Sequence, residues 1–552
     1  NPDGTTRIVE FREMVQSLNQ SGLRVVVDVV YNHTNSAGQD PKSVLDRIVP
    51  GYYHRLNGDG NVETSTCCQN TATENAMMEK LMVDSIVTWA KAYKVDGFRF
   101  DLMGHHMKSN MLKVRAALDA LTADKGGVDG KSIYVYGEGW NFGEVANGAR
   151  GVNATQLNMP GTGMGTFSDR LRDAARGGGP FSGLQEQGFI SGLFYEPNST
   201  NQGTADQQKT LLLQHMDRIR VGLAGNLRDY SFTSAAGMSV KGSDLKYGSD
   251  PAGYTLDPQE VITYVSAHDN ETLFDAVQFK APRAASMDTR VRMHNMGISL
   301  VALGQGIPFF HAGDELLRSK SLDRNSYNSG DWFNKLDWTY QSNNWGVGLP
   351  PAEDNDDNWP IMKQLLADPA LKPTPEHIAK AFSHFQEVVR IRKSSGLFRL
   401  RTAEEIQQRV RFENTGPQQI AGLIVMHILD ERLAVVGGTT DAVVLFNATD
   451  EEQRFASDTF KDVAMELHPV LKESADTVVR NASFATSSGT FTVPPQSTAV
   501  FMGKRAPVPP PGFGDGDSGG SCGCSGAGGA AVSALALLLG LGLLRRPSRR
   551  KL

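Results

Sequence analysis

The sequence predicts an α/β protein in which a parallel barrel is followed by a small antiparallel β-sandwich domain. Three observations support this prediction. Up to about residue 394, strand-like runs alternate with helix-like stretches, which favours parallel pairing through right-handed crossovers. Polar and charged residues follow the ends of several of these runs. After residue 395 the pattern changes to short segments rich in Val, Thr and Phe with turn residues between them, as in an antiparallel β domain.

The first part of the chain begins with a helix-like stretch at 9–20 and a β-branched run at 23–30, which is typical of a strand buried on both faces. Further barrel strands are predicted at 97–101, 132–136, 261–266 and 307–310. Further helices are predicted at 76–94, 107–122, 290–303 and 376–393. In the second part, strands are predicted at 420–429, 433–437, 442–447 and 490–502.

Composition excludes some classes of function. The chain has 55 Lys and Arg against 61 Asp and Glu, a net charge of −6, which disfavours a nucleic-acid partner. Its four cysteines form two close pairs, Cys67-Cys68 and Cys522-x-Cys524, which match neither a disulfide framework nor a zinc clip. Adjacent cysteines are not expected to pair with each other. The fold is therefore expected to depend on its apolar core.

The C-terminal end has a different composition from the rest. Residues 506–525 are rich in Pro, Gly and Ser and predict a linker that carries a Cys motif. In the segment 526–552, an uncharged stretch at 526–544 is just long enough to cross a hydrocarbon core of about 30 Å, and a basic tail follows it. The basic residues would stay cytoplasmic and place the body of the protein outside the membrane. A disordered low-complexity tail is the alternative.

Carboxylate, imidazole and guanidinium groups stand at the ends of four predicted barrel strands. They are Asp28, His33, Arg99, Asp101, Glu138, His268 and Asp269. In a parallel barrel, the carboxyl ends of the strands carry the catalytic groups. A single Asp there commonly caps a helix or forms an ion pair, but a set of carboxylates favours glycoside hydrolysis, which uses one as acid/base and another as nucleophile. The sequence contains no metalloprotease motif, phosphate-binding loop or serine nucleophile elbow that would indicate a different chemistry.

Four ordered motifs resemble those of the α-amylase superfamily of retaining glycosidases: DVVYNH (28–33), GFRFDLMG (97–104), YGEGW (136–140) and SAHDNETL (266–273). Two longer segments, 307–338 and 343–359, resemble the pullulanase and limit dextrinase group, which debranches α-glucans. The resemblance runs from residue 1 to about residue 503. It implies a retaining hydrolase of α-1,6-glucosidic branch linkages in pullulan, amylopectin and limit dextrins.

The resemblance also implies individual roles. Asp101 is expected to be the nucleophile, Glu138 the general acid/base and Asp269 the third carboxylate, which stabilises the oxocarbenium-like state. Arg99 is expected to hydrogen-bond Asp101, and His33 and His268 to bind the sugar. Trp140 is expected to form an aromatic platform for a pyranose, with ordinary packing as the alternative. A retaining mechanism predicts carboxyl groups of Asp101 and Glu138 about 5–5.5 Å apart.

In this family the (β/α)8 TIM barrel has eight strands, and the motif that contains Asp28 belongs to the third. We therefore expect an open barrel of six strands, with the first two strands and the carbohydrate-binding modules upstream of Asn1 in a longer secreted enzyme. The predicted domains are 1–394 for the partial catalytic barrel, 395–505 for the β-sandwich, 506–525 for the linker and 526–552 for the membrane span with its basic tail. The isolated chain is expected to fold and act poorly.

The end of the chain resembles bacterial C-terminal sorting signals, of the type described for myxobacterial surface proteins. This implies processing by a sorting protease and retention at the bacterial cell surface. Tail and body together predict an extracellular enzyme whose partners are a branched α-glucan and the membrane, with no nucleic acid.

Two other groups of polar residues are interpreted as structural rather than functional. His105-His106 could form a metal pair, but a place in the cleft wall or at a helix cap is preferred. The acidic loop at 353–357 is interpreted as solvated surface rather than a calcium site. No metal ligands are nominated and no cofactor is needed for the chemistry, while structural calcium is common in the superfamily. Two other functions stay open: an isoamylase-like or α-1,4-acting enzyme, and an inactive glucan-binding surface protein.

Overall fold

A parallel sheet of six strands forms the centre of the N-terminal part of the protein. The computed structural model describes residues 4–505. The strands of this sheet are β1 (Val26–Val29), β2 (Gly97–Phe100), β3 (Tyr134–Gly137), β4 (Gly165–Ser168), β5 (Val261–Thr263) and β6 (Ile307–Pro308). They are hydrogen-bonded in chain order, and each neighbouring pair is parallel. This is the strand order of an α/β barrel, as predicted.

Helices connect and flank these strands. The longer ones are α1 (Gly4–Gln20), α2 (Ala76–Thr88), α3 (Lys108–Asp119), α4 (Asp169–Arg176), α5 (Ala205–Leu223), α6 (Leu273–Lys280), α7 (Met287–Leu303), α8 (Trp359–Leu366), α9 (Pro375–Ser394) and α10 (Ala403–Arg409). Shorter helical turns lie at Leu45–Ile48, Ala123–Gly126, Gly330–Asn334, Ala352–Asn355 and Pro469–Lys472. The predicted helices at 9–20, 107–122, 290–303 and 376–393 correspond to α1, α3, α7 and α9. The prediction at 76–94 covers α2 and a following π-helical turn, Trp89–Tyr93.

Strand β4 has no counterpart among the strands assigned from the sequence. Its four residues, GTFS, are all buried, and it pairs with β3 on one side and β5 on the other. The segment carries no β-branched run, and the surrounding glycines give it the composition of a loop. Pairing on both sides, rather than local propensity, makes it a strand.

The C-terminal β domain contains two antiparallel sheets. Their strands are β7 (Val410–Phe412), β8 (Leu423–Leu429), β9 (Asp441–Asn447), β10 (Gln453–Ala456), β11 (Ala464–Leu467), β12 (Ser483–Ala485), β13 (Thr490–Val493) and β14 (Ser497–Lys504). One sheet has the order β7-β8-β9-β14-β11, and the other has the order β10-β13-β12. The pairing is antiparallel throughout, which confirms the predicted type of domain.

Two strand predictions in this domain are wrong. Residues 433–436 belong to a 3-10 helix, Glu431–Val436, and Gly437, which caps it, lies in the left-handed region. The predicted strand at 490–502 is two strands in different sheets, β13 and β14. Pro494 and Pro495 separate them because proline cannot donate to a strand ladder, and Gln496 then adopts a φ of 44°.

The barrel and the β domain share one apolar core. Buried residues of α5 and α7 belong to the same cluster as those of β8, β9 and β14. Polar contacts cross the boundary as well: Arg292 pairs with Asp476 at 2.6 Å, and the Tyr195 hydroxyl donates to the Ala421 carbonyl at 2.6 Å. The boundary predicted at 394/395, directly after α9, stays a prediction, but the side chains on its two sides form one packed unit.

The sheet is open between β1 and β6. Among residues 4–505, no strand pairs with the outer side of either. Apolar side chains on and beside β1 are exposed in consequence: Leu23 by 57%, Val26 by 42% and Val30 by 49%. An unpaired edge with exposed apolar side chains is a site where a further strand can add.

The predicted linker at 506–525 and the predicted span and basic tail at 526–552 lie outside the described residues. In the part of the chain that the structure describes, no helix is both long and apolar enough to cross a membrane.

The edge position of β1 has a measurable consequence. Because β1 has a partner on one side only, its amide protons should exchange with solvent at least about tenfold faster than those of β3, a strand of equal length with partners on both sides. Hydrogen–deuterium exchange followed by mass spectrometry on peptides covering the two strands measures this difference. Equal protection of β1 and β3 would contradict the open edge.

Candidate active site

Five of the seven side chains predicted at the strand ends line one cavity on the carboxyl edge of the parallel sheet, whereas Asp101 and His33 are not part of its lining. The cavity has a volume of about 1420 Å³. Its walls include Asp28, Arg99, Glu138, Trp140, His268 and Asp269. Asp101 is joined to this group by an ion pair with Arg99, and His33 lies close enough to Asp101 for the carboxylate charge to act on its imidazole. Parallel strands place their carboxyl ends on the same side, which brings together residues up to 241 positions apart in the chain, such as Asp28 and Asp269.

The guanidinium of Arg99 links three carboxylates. Its Nη1 lies 2.8 Å from Asp28 Oδ1 and 2.9 Å from Asp101 Oδ1, and its Nη2 lies 3.1 Å from Glu138 Oε1. The Arg99 side chain is only 7% exposed. Burial alone would lower the pKa of Arg99, but the charges of Glu138, Asp28 and Asp101 outweigh it and raise that pKa well above its ordinary value. Arg99 is therefore a permanent cation that orients Asp101 and Glu138 from one point.

Backbone contacts hold the two carboxylate-bearing loops against each other. The Leu102 N–H donates to Glu138 Oε2 at 2.9 Å, and the Gly104 N–H donates to the Glu138 carbonyl at 2.8 Å. Leu102 adopts the left-handed conformation, with φ 38°, which turns the chain sharply after Asp101. A Cβ at Gly104 would lie 2.1 Å from the Trp140 carbonyl oxygen, so only glycine allows this approach.

Glu138 is set up to carry a proton near neutral pH. Burial is the main cause that raises the pKa of its carboxyl, and the negative charges of Asp269 and Asp101 raise it further. Arg99 and the Leu102 N–H oppose this shift, and the resulting pKa is about 7. A carboxyl group with such a pKa can serve as a general acid at neutral pH and as a general base after it has lost its proton.

Asp269 and His268 face the cavity from beyond β5. Their side chains are 56% and 57% exposed, and His268 Nε2 lies 3.6 Å from Asp269 Oδ1. Trp140 is half-buried and packs against the apolar cluster of Phe167 and Tyr264, while it also forms part of the cavity wall. The packing alternative for Trp140 and the platform role are therefore compatible. The roles of these residues, and the separation of the Asp101 and Glu138 carboxyls, stay predictions.

A disulfide between neighbouring residues lies beside His33. Cys67 and Cys68 are bonded to each other, contrary to the expectation that adjacent cysteines do not pair. The sharp loop that holds them brings Cys67 Sγ within 3.6 Å of His33 Nε2. One potential ligand atom from each of these three residues lies within 4.8 Å of the others, but both sulfurs are in the disulfide, and thiolates are the form that binds metals.

The pKa of His33 is lowered by burial, with the Asp101 charge opposing this shift. The imidazole of His33 is therefore neutral near neutral pH, with one ring nitrogen that can donate a hydrogen bond and one that can accept. This is the protonation state that fits contact with sugar hydroxyls.

The surroundings of His105 and His106 are those of buried structural residues. Both are fully buried, and burial lowers the pKa of His105 to about 4 and that of His106 to about 3. His106 Nδ1 lies 3.3 Å from the Thr73 hydroxyl, and the His105 ring packs edge-on against Phe142. Within residues 4–505 neither these two residues nor the loop at 353–357 belong to a cluster with metal-ligand geometry.

Two residues of this region were not singled out from the sequence. Phe181 is 97% exposed in the cavity wall, on the loop that follows α4, where its GGGPFSG context signals an exposed turn. Lys320 is fully buried behind the loop that carries Asp269. Nothing in its local sequence, RSKSLDR, distinguishes it from a surface lysine.

Comparisons with known proteins agree with the resemblance carried by the motifs. Residues 340–504 match the family of pullulanase-type α-1,6-glucosidases in its C-terminal domain. Over 513 residues the chain is 52% identical to Pullulanase 1, chloroplastic, of Arabidopsis thaliana, a match that covers 92% of the chain and 53% of the relative. It is 42% identical over 515 residues to the pullulanase of Klebsiella pneumoniae, covering 91% of the chain and 45% of that protein.

Solved structures show the same relation. A maltotriose complex of PulA from Klebsiella pneumoniae superposes with a TM-score of 0.83 at 41% identity, covering 90% of this chain and 53% of the other. A pullulanase mutant from Paenibacillus barengoltzii complexed with maltotetraose gives 0.65 at 26% identity, covering 90% and 62%. The chain thus spans about half the length of the curated relatives it matches.

The burial of Glu138 predicts a specific pH dependence of stability. The pKa rises from an ordinary 4.5 to about 7 on folding, so the folded state holds its proton more tightly than the unfolded state. The contribution of the Glu138 proton to the free energy of unfolding is fully present below about pH 4.5 and is lost as the pH rises through about 7. Glu138→Gln removes this loss, so the variant should gain up to about 3 kcal/mol in free energy of unfolding relative to the parent between pH 4.5 and pH 8.

Denaturant unfolding of both proteins at the two pH values measures this gain. Glu353→Gln, which removes an exposed carboxylate, is the matched control and should show a pH-independent difference from the parent. A pH-independent difference for Glu138→Gln as well would contradict the raised pKa.

Proposed function

The chain belongs to the pullulanase family, and on that premise we propose that it carries the catalytic barrel of a retaining hydrolase that cleaves α-1,6-glucosidic branch linkages in pullulan, amylopectin and limit dextrins. The observation that carries the proposal is the arrangement of Asp101 and Glu138 on one buried guanidinium, with Glu138 kept protonated near neutral pH. A protonated carboxyl group beside a second carboxyl group is the pair that double displacement at a glycosidic bond uses as acid/base and nucleophile.

In this mechanism the carboxyl of Glu138 donates its proton to the glycosidic oxygen while Asp101 attacks the anomeric carbon. The bond to the leaving sugar breaks and a covalent glycosyl–Asp101 ester forms. Glu138, now ionised, then takes a proton from water, and the oxygen of that water displaces Asp101 from the sugar. Asp269 stabilises the positive charge that develops on the ring in both steps, while His33 and His268 hold hydroxyl groups of the sugar in the cleaved position.

The size of the cavity supports a branched substrate. A volume of about 1420 Å³ exceeds the typical range of about 300–1,000 Å³ for small-molecule pockets. The cavity extends from Asp28 on β1 to Arg324 beyond β6, and Trp140 and Phe181 supply aromatic faces at separate points of its wall. Two glucan chains that meet at a branch point need such an extended site.

Substrate choice distinguishes this proposal from its alternatives. With pullulan, the turnover that the chain supports, which is expected to be low for the isolated chain, should release maltotriose, because that is the product of cleavage at the α-1,6 linkages alone. Product analysis by chromatography measures this. Panose would indicate an α-1,4-acting enzyme, and binding to amylopectin without release of reducing ends would indicate a glucan-binding protein without activity.

Asp101→Ala should lower kcat by more than about 10³-fold, because it removes the carboxylate that is expected to form the covalent intermediate. Asp458→Ala, which removes a carboxylate from a side chain that is 90% exposed in the β domain, is the control and should keep full activity. In the parent protein, kcat/KM should fall as the pH rises through about 7, where Glu138 loses its proton. Activity that persists unchanged in Asp101→Ala would contradict the assigned nucleophile.

We also propose that the protein acts outside the cell and is retained at the bacterial envelope by residues 506–552. The support is the order of a Pro/Gly/Ser-rich linker with a Cys motif, an apolar stretch at 526–544 and a basic end. Sorting by a protease would cut this segment and leave the body at the surface.

A variant with Leu538→Arg and Leu539→Arg tests this anchor, because two charges in the apolar stretch oppose its insertion in a bilayer. Expressed in a bacterial host with an export signal, the parent chain should be recovered with the membrane fraction and the variant with the soluble fraction. Ser548→Arg, which adds a charge only to the basic end, is the control and should stay with the membranes. Equal recovery of parent and double variant in the soluble fraction would contradict the anchor.

A further inference from the structure

A buried lysine lies directly behind the loop that presents Asp269. Lys320 has no exposed surface, and its Nζ donates to the His268 carbonyl at 3.0 Å and to the Asn270 carbonyl at 2.7 Å. These two residues are the chain neighbours of Asp269. The ammonium thus binds the backbone on both sides of the predicted third carboxylate.

The Asp269 side chain is 56% exposed, and His268 Nε2 lies 3.6 Å from its Oδ1, which is longer than a hydrogen bond. Asn270 adopts the left-handed conformation, with φ 61°, so the backbone turns sharply immediately after Asp269. The direction of the Asp269 side chain is therefore set by its backbone, and that backbone is held by Lys320.

Lys320 is itself held in a rigid loop. The buried carboxylate of Asp275 accepts from the Ser319 hydroxyl at 2.6 Å and from the Lys320 N–H at 2.8 Å. Ser321 and Leu322 both adopt positive φ angles, 54° and 71°, which surrounding contacts must maintain. Since Asp275 lies on α6, directly after the Asp269 loop, the loop and its clamp are attached to the same helix.

A charged lysine in this position is costly unless it is bound. Burial lowers the pKa of Lys320, and the charges of Asp275, Asp323 and Glu271 oppose that shift. Within residues 4–505, the contacts of the Lys320 ammonium are with backbone carbonyls and not with a carboxylate. Its donors are directed to the two backbone carbonyls instead, which an apolar side chain of the same length could not bind.

We propose that Lys320 is a positioning residue for Asp269: its ammonium clamps the carbonyls of His268 and Asn270 and thereby fixes the third carboxylate against the sugar. The inference rests on the proposed function. Lys320 does not touch the cavity and acts only through the loop. Loss of the clamp releases the loop, and Asp269 then moves away from Glu138 and from the reacting sugar.

The test compares Lys320→Met with Lys320→Arg. Methionine has a similar length without charge or donors, whereas arginine keeps donors that can reach the two carbonyls. Lys320→Met should lower kcat on pullulan by about 10- to 100-fold with a smaller change in KM, and Lys320→Arg should recover part of the loss. Because the Asp269 charge raises the pKa of Glu138, the decline of kcat/KM at high pH should begin at a lower pH in Lys320→Met, as in Asp269→Asn.

A double-mutant cycle decides whether Lys320 acts through Asp269. If it does, Lys320→Met combined with Asp269→Asn should be no slower than Asp269→Asn alone. Lys280→Met is the matched control: Lys280 is also buried, and its Nζ also binds two carbonyls, those of Gly177 and Glu186. Its effect should add to that of Asp269→Asn and leave the pH profile in place. Additive losses for Lys320→Met, or an unmoved pH profile, would overturn the inference.

A measurement without turnover separates this inference from the proposed function. Amides at 266–273 should exchange with deuterium at least about tenfold faster in Lys320→Met than in the parent, and those of β3 should not change. If the parent releases no maltotriose from pullulan, the proposed function fails, and the exchange result alone decides whether Lys320 holds the loop. Unchanged exchange at 266–273 would refute the clamp whether or not the protein is active.

Discussion

The site depends on one buried guanidinium. Arg99 contacts Asp28, Asp101 and Glu138 at 2.8–3.1 Å from a position that is almost closed to solvent. A buried cation with carboxylate partners on one strand and two loops orients each of them and stays charged at any accessible pH. The same site raises the pKa of Glu138, because its carboxyl is buried and faces the charges of Asp101 and Asp269. The proposed mechanism uses Glu138 as the acid and Asp101 as the nucleophile.

The parallel sheet places Arg99 beside carboxylates that are carried by β1 and by the loops after β2 and β3. Asp28 and Arg99 stand opposite each other in the register of β1 and β2, which explains their contact directly. Glu138 comes from the loop after β3, and the absence of a side chain at Gly104 lets that loop approach the one that follows β2. Behind β5, Lys320 supports the Asp269 loop from inside the protein. Arg99 and Lys320 thus support the carboxylate-bearing segments of the site from buried positions.

The organisation of the protein follows from shared packing more than from separate domains. The apolar core runs from helices of the barrel into the sheets of the β domain, so these two parts stabilise each other. The opposite side of the barrel is different, because β1 and β6 leave an edge with exposed apolar side chains. The chain spans about half the length of its curated relatives. The cavity is nevertheless bounded by the described strands on the side where the predicted catalytic groups lie.

The sequence alone determined the class of fold, five of the ten longer helices and the identity of the residues at the strand ends. These features depend on local patterns: β-branched runs, helical spacing and four short motifs whose residues are neighbours in the chain. Tertiary structure decided the rest. Strand β4 is a strand because it pairs with a neighbour on each side. The predicted strand at 433–437 is instead a 3-10 helix that ends before Gly437. Two prolines divide the predicted strand at 490–502 into two strands of different sheets. The proton on Glu138, the clamp formed by Lys320 and the disulfide beside His33 depend on burial and on contacts between distant residues. Solvation and charge at a side chain are properties of its three-dimensional surroundings, and a linear pattern does not contain them.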